Sequence, residues 1–130
     1  MKAFERIFNN DKNQIMYLEG EQWKPFGNYF VSNFGRIYSL NRNRLLNPVL
    51  KKSKNNYYYV IGIYNGSECK RYKIHRLVAM LFIPNSEQKA EVHHIDCNSL
   101  NNRADNLMWV TPKEHSEIHK NLKLKGSEQR

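Results

Sequence analysis

Cysteine is scarce. Cys69 and Cys97 are the only two in 130 residues, and they form no Cys-x-x-Cys pair. A zinc knuckle is thereby excluded, and a disulfide is not expected in a reducing compartment. Long apolar runs are missing as well. No stretch approaches the ~20 residues that a membrane-spanning helix needs. The basic residues are dispersed and not gathered on one amphipathic helix, which argues against a membrane-surface role. The N-terminal Met1-Lys2-Ala3-Phe4-Glu5-Arg6 places charges where a secretory signal would carry its apolar stretch, so the cytoplasm is the expected compartment. Acidic residues are in deficit: 12 Asp+Glu stand against 21 Lys+Arg, a net charge of +9. A balance of that sign points to a polyanionic partner, nucleic acid first. The length suits one ordinary domain whose core needs no disulfide staples.

What is abundant is histidine near the C-terminus. Four of the five histidines lie between His93 and His119, interleaved with Asp96, Asn98, Asn101, Asn102 and Asn106. Imidazole both accepts a proton near neutral pH and ligates transition metals, so such a density marks a candidate centre.

The patterning upstream predicts an α+β chain. Ile15–Leu18 reads as a short strand and Glu21–Pro25 as a loop. Tyr29–Ser32 and Arg36–Leu40 form a hairpin about Asn33-Phe34-Gly35, whose glycine can adopt the positive φ of a tight turn. Tyr57–Tyr64 and Lys70–Lys73 form a second hairpin across Asn65-Gly66. Ile74, Leu77, Val78 and Leu81 recur at helical spacing and predict a short helix ending before Pro84. The stretch from Asn85 to Ala90 reads as loop. Glu91–Ile95 and Leu107–Val110 then read as strands joined by a long Asn-rich connection. Thr111 caps a final helix, with Pro112 at its first position and Glu114 completing a capping box. Gly126 is its expected stop.

On that helix His115, Ile118, His119 and Leu122 share one face. Two histidines one turn apart can grip a metal ion, although the spacing alone is weak evidence. His93-His94 lies at a strand end, connected to the same helix face. Neighbours on a strand point to opposite sides, so a local irregularity is expected there if both are to serve one site. Phosphodiester hydrolysis needs a deprotonated water, a polarised phosphoryl oxygen and a stabilised leaving oxygen, which one metal ion and one histidine can supply. A histidine base also needs its second nitrogen held, and Asn106 has a side-chain carbonyl suited to that.

The run His93-His94-Ile95-Asp96-x-Asn98-x-x-Asn101-Asn102-x-x-x-Asn106-Leu107-x-Trp109-Val110-Thr111 resembles the HNH endonuclease motif, in the ββα-metal form of phage and intron-homing nucleases. Trp23-Lys24-x-x-x-Asn28-Tyr29-x-Val31-Ser32-Asn33-x-Gly35-Arg36-Ile37-Tyr38-Ser39-Leu40 resembles the small module that accompanies such domains, and Lys73–Ala79 with Phe82–Asn85 resembles the helix preceding them. The resemblance implies His94 as general base, Asn106 as its orienting partner, and His93, His115 and His119 as ligands of one divalent ion. It implies DNA as substrate, and cleavage to a 5′-phosphate and a 3′-hydroxyl. Relatives often carry Asp and Asn where His93 and His115 stand, so the all-imidazole set adds Zn²⁺ or Ni²⁺ to the usual Mg²⁺ or Mn²⁺. Asp96, Asn98, Asn101 and Asn102 are expected to close turns in the connection.

The resulting expectation is one nuclease domain over 1–130: a β-rich DNA-binding lobe at 15–72, a helix at 73–84 and a ββα-metal motif at 88–125. Arg36, Arg42, Arg44, Lys51, Lys52, Lys54 and Arg76 are the candidate DNA contacts, those at 42–44 and 51–54 carried on loops. Trp23 and the tyrosines at 57–59 are assigned to core or cross-strand packing. His75, off the apolar stripe, is expected to face water or touch phosphate. A monomer is expected, with a dimer as the alternative, and neither a membrane nor a small-molecule substrate. Rival readings are a catalytically inactive DNA-binding or packaging accessory protein of the same fold, and a zinc-stabilised structural domain.

Overall fold

The computed structural model describes residues 18–128, with side chains described through Leu122. Among the described residues nine strands and two helices follow one another: β1 Trp23–Phe26, β2 Tyr29–Ser32, β3 Ile37–Ser39, β4 Arg44–Leu45, β5 Val49–Ser53, β6 Asn56–Asn65, β7 Glu68–Lys73, α1 Ile74–Phe82, β8 Glu91–His94, β9 Leu107–Val110 and α2 Pro112–Glu128. A 3₁₀ turn at Ala104–Asn106 leads into β9. The strands form three antiparallel sheets, β1-β2-β3-β4, β5-β6-β7 and β8-β9. The chain is thus α+β, ending in a ββα unit. Among the described residues no helix is long and apolar enough to cross a membrane.

Strand β2 is buried along its whole length because its two faces serve two clusters. Tyr29 and Val31 join Ile37, Ile61, Leu77, Val78, Val92 and Leu107 in the main core. Phe30 pairs instead with Trp23 and Tyr38 on the opposite face. Both expected hairpins form. In the first, Gly35 takes φ 87° and lies so close to Asn102 and Ile74 that an added Cβ would meet their side chains at 3.3 and 3.4 Å. In the second, Asn65 pairs with Glu68, so Gly66, at φ 66°, is the first of the two loop residues.

Helix α1 connects the parts. Its apolar stripe, with Leu77, Val78 and Ala79 wholly buried, packs against the N-terminal sheets and the ββα unit. Further bonds join the two halves: Ala104 N–H donates to the Asn33 carbonyl at 2.8 Å, and Trp109 Nε1 to the Ile83 carbonyl at 3.1 Å.

Four expectations are corrected. Arg44, read as loop, lies in β4. Trp23–Pro25, read as loop, lies in β1; Pro25 is accommodated because β1 is an outer strand, where a missing donor goes unnoticed. Lys51 and Lys52, read as loop, lie in β5, a fully exposed edge strand of the kind that charged residues protect from aberrant pairing. Only Lys54, at φ 55°, is in the turn. Helix α2 runs past Gly126 to Glu128. The strand expected at Ile15–Leu18 lies outside the described residues except for Leu18, which is in no strand.

Candidate active site

Strand alternation distributes the histidines. In β8 the odd-numbered side chains, Glu91 and His93, face α2, and the even-numbered ones face α1. Both histidines pair regularly, His93 opposite Met108 and His94 opposite Leu107, so no bulge occurs. The strand simply ends at His94, where the Cys97 N–H returns to the His94 carbonyl at 2.9 Å. A cavity of about 420 Å³ reaches around this strand end and receives both side chains, together with His75, His115 and His119.

On the α2 side the capping box forms as its sequence dictates. Glu114 N–H donates to Thr111 Oγ1 at 3.1 Å, and Thr111 N–H to Glu114 Oε1 at 2.9 Å. Glu114 also pairs with Lys89, which fixes the loop before β8. With the helix so registered, the His115 and His119 rings lie 5.3 and 5.5 Å from that of His93. One donor atom from each of the three residues falls within 4.8 Å of the others. Three imidazoles at this separation fit a transition-metal ion of ordinary nitrogen-ligand distance. His115 Nδ1 meets Glu91 Oε1 at 2.9 Å, the outer bond that fixes a ligating imidazole's tautomer and leaves Nε2 free. Burial and the neighbouring His115 and His119 push the His93 pKa down, which favours the neutral ring with one nitrogen lone pair free.

On the other side His94 is buried, and its Nε2 lies 3.0 Å from Asn102 Oδ1. An amide oxygen only accepts, so Nε2 carries the proton and Nδ1 the lone pair. Burial lowers the His94 pKa, opposed by the Asn102 bond and by Asp96. The contact expected from Asn106 is therefore made by Asn102. Asn106 is spent on the connection: its Oδ1 accepts from Asp96 N–H at 3.0 Å, and its Nδ2 donates to Asp96 Oδ1 and the Asn101 carbonyl, both at 2.9 Å. The Asn101 amide, the Asn98 N–H and Asn106 hold the Asp96 carboxyl below its usual range. Asp96 and Asn98 close turns as expected; the Asn101 side chain instead donates to the Asp96 carboxylate, and Asn102 departs from the expectation by pointing to His94.

His75 is the larger surprise. Expected at the surface, it is 6% exposed, with its ring 4.9 Å from that of His94 and 5.5 Å from Tyr58. Burial, then His94 and the cations Lys73 and Arg76, lower its pKa to about 3. The reason lies in how far α1 is wrapped. His75 and Ala79 are i and i+4, a row flanking the apolar stripe, and the ββα unit covers that row too. Glu91 was also missed, although its two-residue offset from His93 on a strand could have disclosed it.

The basic candidates separate into groups. Lys54 and Arg76 line the histidine cavity, Arg76 also donating to the Ala90 carbonyl at 3.0 Å. Arg42, Arg44 and Lys51 line a second cavity of about 400 Å³, joined there by Arg71. Lys52 lies over the Tyr57 ring. Arg36 is turned inward: Nε donates to Glu21 Oε2 at 2.8 Å, Nη2 pairs with Glu21 Oε1, and the guanidinium lies against Trp23. With the Glu21 carboxylate wholly buried, Arg36 first of all compensates an internal charge.

Comparison with known proteins agrees with this anatomy. Residues 72–117 match the family described as HNH endonuclease, and residues 21–63 match the NUMOD4 motif. The DNA endonuclease I-HmuI of Bacillus phage SP01 is 37% identical over 100 residues, covering 74% of this chain and 56% of that protein. The uncharacterized HNH endonuclease L245 of Acanthamoeba polyphaga mimivirus is 33% identical over 116 residues, 89% of this chain and 33% of its own length. The solved structure reported as DNA binding and cleavage by the HNH homing endonuclease I-HmuI superposes with a TM-score of 0.70 at 34% identity, over 78% of this chain and 59% of that one. The chain thus spans between a third and three fifths of the length of these relatives. A ββα unit with its histidines on the facing strand and helix, behind a NUMOD4 motif, identifies residues 72–117 of this chain as an HNH endonuclease domain.

Proposed function

We propose that the chain hydrolyses phosphodiester bonds in DNA at the histidine cavity, with His94 as general base and His93, His115 and His119 as the ligands of one divalent ion. The observation that carries this reading is the arrangement at the end of β8. Three imidazole donors lie within 4.8 Å of one another beside a fourth imidazole whose Nε2 is committed to Asn102. When bound, the ion would polarise a phosphoryl oxygen and stabilise the departing one. Mg²⁺ or Mn²⁺ suits the reaction, and the all-nitrogen donor set also accepts Zn²⁺ or Ni²⁺.

The remaining work falls to the chain. His94 Nδ1 takes a proton from the attacking water, and Asn102 holds the imidazole orientation and stabilises the ring as it becomes charged. Glu91 keeps His115 turned so that Nε2 faces the other two ligands. Lys54 and Arg76 draw the phosphate backbone into the cavity, while Arg42, Arg44, Lys51 and Arg71 hold it along the second cleft, adding affinity without base discrimination. The β-rich part through residue 72 serves in this reading as the DNA-holding lobe, and 88–125 as the nuclease motif.

Plasmid cleavage over Mg²⁺, Mn²⁺, Ni²⁺ and Zn²⁺, with a chelator control, tests this. Nicked or linear product should appear only with metal, and His94→Ala should lower the rate by ~10² to 10⁴. Binding without cleavage under every metal would leave an inactive DNA-binding protein. Unfolding by chelator would leave a structural metal site.

A further inference from the structure

His75 is an imidazole for which the reaction above has no use. It is 6% exposed, yet among the described residues neither ring nitrogen has a hydrogen-bond partner, and neither is sealed from the cavity. An imidazole in any protonation state keeps at least one N–H donor. That donor is therefore left to whatever enters the cavity, whereas an apolar side chain would fill the same row of α1 without offering one. The ring stands edge to face with His94 at 4.9 Å, on the opposite side of β8 from His93, His115 and His119. Lys73, over Tyr58 at 4.5 Å, and Tyr58 behind His75 close the cavity beyond it.

Resting on the reading of this cavity as a nuclease centre, we propose that His75 is a further catalytic residue. Its ring N–H donates a hydrogen bond to a non-bridging oxygen of the phosphodiester held beside His94. Its ring is kept uncharged by burial, as is His94, so each contributes one donor and one acceptor. The His94 donor is committed to Asn102, whereas that of His75 is directed at the cavity. A polyanionic substrate presents oxygens and no donors at its phosphates, so the donor of His75 is the part it would engage. Charge grows on those oxygens as water adds, which makes a donor preset there more valuable in the transition state than in the bound substrate.

The test compares side chains of similar shape with and without a donor, in the full-length protein with saturating Mn²⁺. His75→Phe keeps an aromatic ring against His94 but no N–H; His75→Gln keeps a donor. Wild type and His94→Ala are run alongside, and metal affinity is measured by calorimetry. The expected result is a fall in kcat of about 10- to 100-fold for His75→Phe, within the range for a lost transition-state donor. KM and Mn²⁺ affinity should stay near wild type, and His75→Gln should recover much of the loss. Should His75→Phe lack a cooperative melting transition, His75→Leu against His75→Gln makes the same comparison. Cleavage by the donor-less variants at the wild-type rate, with His94→Ala inactive, overturns the role of His75 alone. No cleavage by wild type under any metal overturns the nuclease reading and this one with it.

Discussion

The partner of one ring nitrogen sets an imidazole's tautomer and orientation, and for His94 that partner is Asn102. Two asparagines in the same connection consequently have different fates on substitution. Asn102→Ala removes the acceptor from His94 Nε2, so the ring is free to rotate and change tautomer. Cleavage should fall by about 10- to 100-fold, with a loss of stability of ~1 kcal/mol, that of one hydrogen bond. Asn106→Ala instead unties three bonds that hold the Asp96 turn. It should cost stability first, ~2–3 kcal/mol by denaturant melt, with activity falling as the connection loosens. If Asn106→Ala melted like wild type and Asn102→Ala cleaved like wild type, the assignment made from sequence would stand and this one would fail. Four asparagines between 98 and 106 share one chemistry, and no spacing rule distinguishes the one that reaches a strand end. The distinction needs the backbone path, which Gly35 helps to set by its close contact with Asn102.

At the scale of elements, a strand and a helix each deliver what their period allows. Helix α2 was legible because its start is written in local chemistry: Thr111, Pro112 and Glu114 form the capping box, and that box places His115 and His119 on one face. Strand β8 was legible in its extent but not in its consequence. The expected local irregularity takes the form of the strand's end and not of a bulge: the cavity curves around that end and receives the two histidines from two sides. The same alternation puts Glu91 beside His93 and within 2.9 Å of His115. Glu91→Gln should therefore weaken Mn²⁺ or Zn²⁺ binding by about 10- to 100-fold, the usual effect of losing a carboxylate behind a ligating histidine. Calorimetric titration measures it; an unchanged affinity would mean that His115 is not a ligand. Edge strands were the least legible elements. Strands β1 and β5 carry Pro25 and the run Lys51-Lys52, which locally read as loop and become strand only through pairing with β2 and β6.

Across the whole molecule, helix α1 unites the N-terminal sheets with the ββα unit, and the folded state thereby encloses three neutral imidazoles. His75, His93 and His94 all have pKa values below the ordinary histidine range, His75 at about 3. Each binds its proton more readily unfolded than folded. Stability of the metal-free protein is therefore at its plateau above the unfolded pKa of about 6.5 and declines as pH falls below it. His75 alone contributes a slope of ~1.4 kcal/mol per pH unit, ending near pH 3. His75→Phe should flatten the melting-temperature profile between pH 6 and 4 by about one proton's worth; an unaltered profile would show that this ring is not buried in its neutral form. The net charge and histidine density were visible in composition, but the enclosure of His75 was not, since it depends on two units closing over one helix.

The central claim is spatial: three imidazoles meet about one ion while His94 stays outside it. Anomalous diffraction from crystals grown with Mn²⁺ reads this directly. A single peak should lie within about 2.0–2.3 Å of one nitrogen each of His93, His115 and His119, with the His94 ring beside it and still bonded to Asn102. A peak coordinated by His94, or none within reach of His115 and His119, would contradict the account.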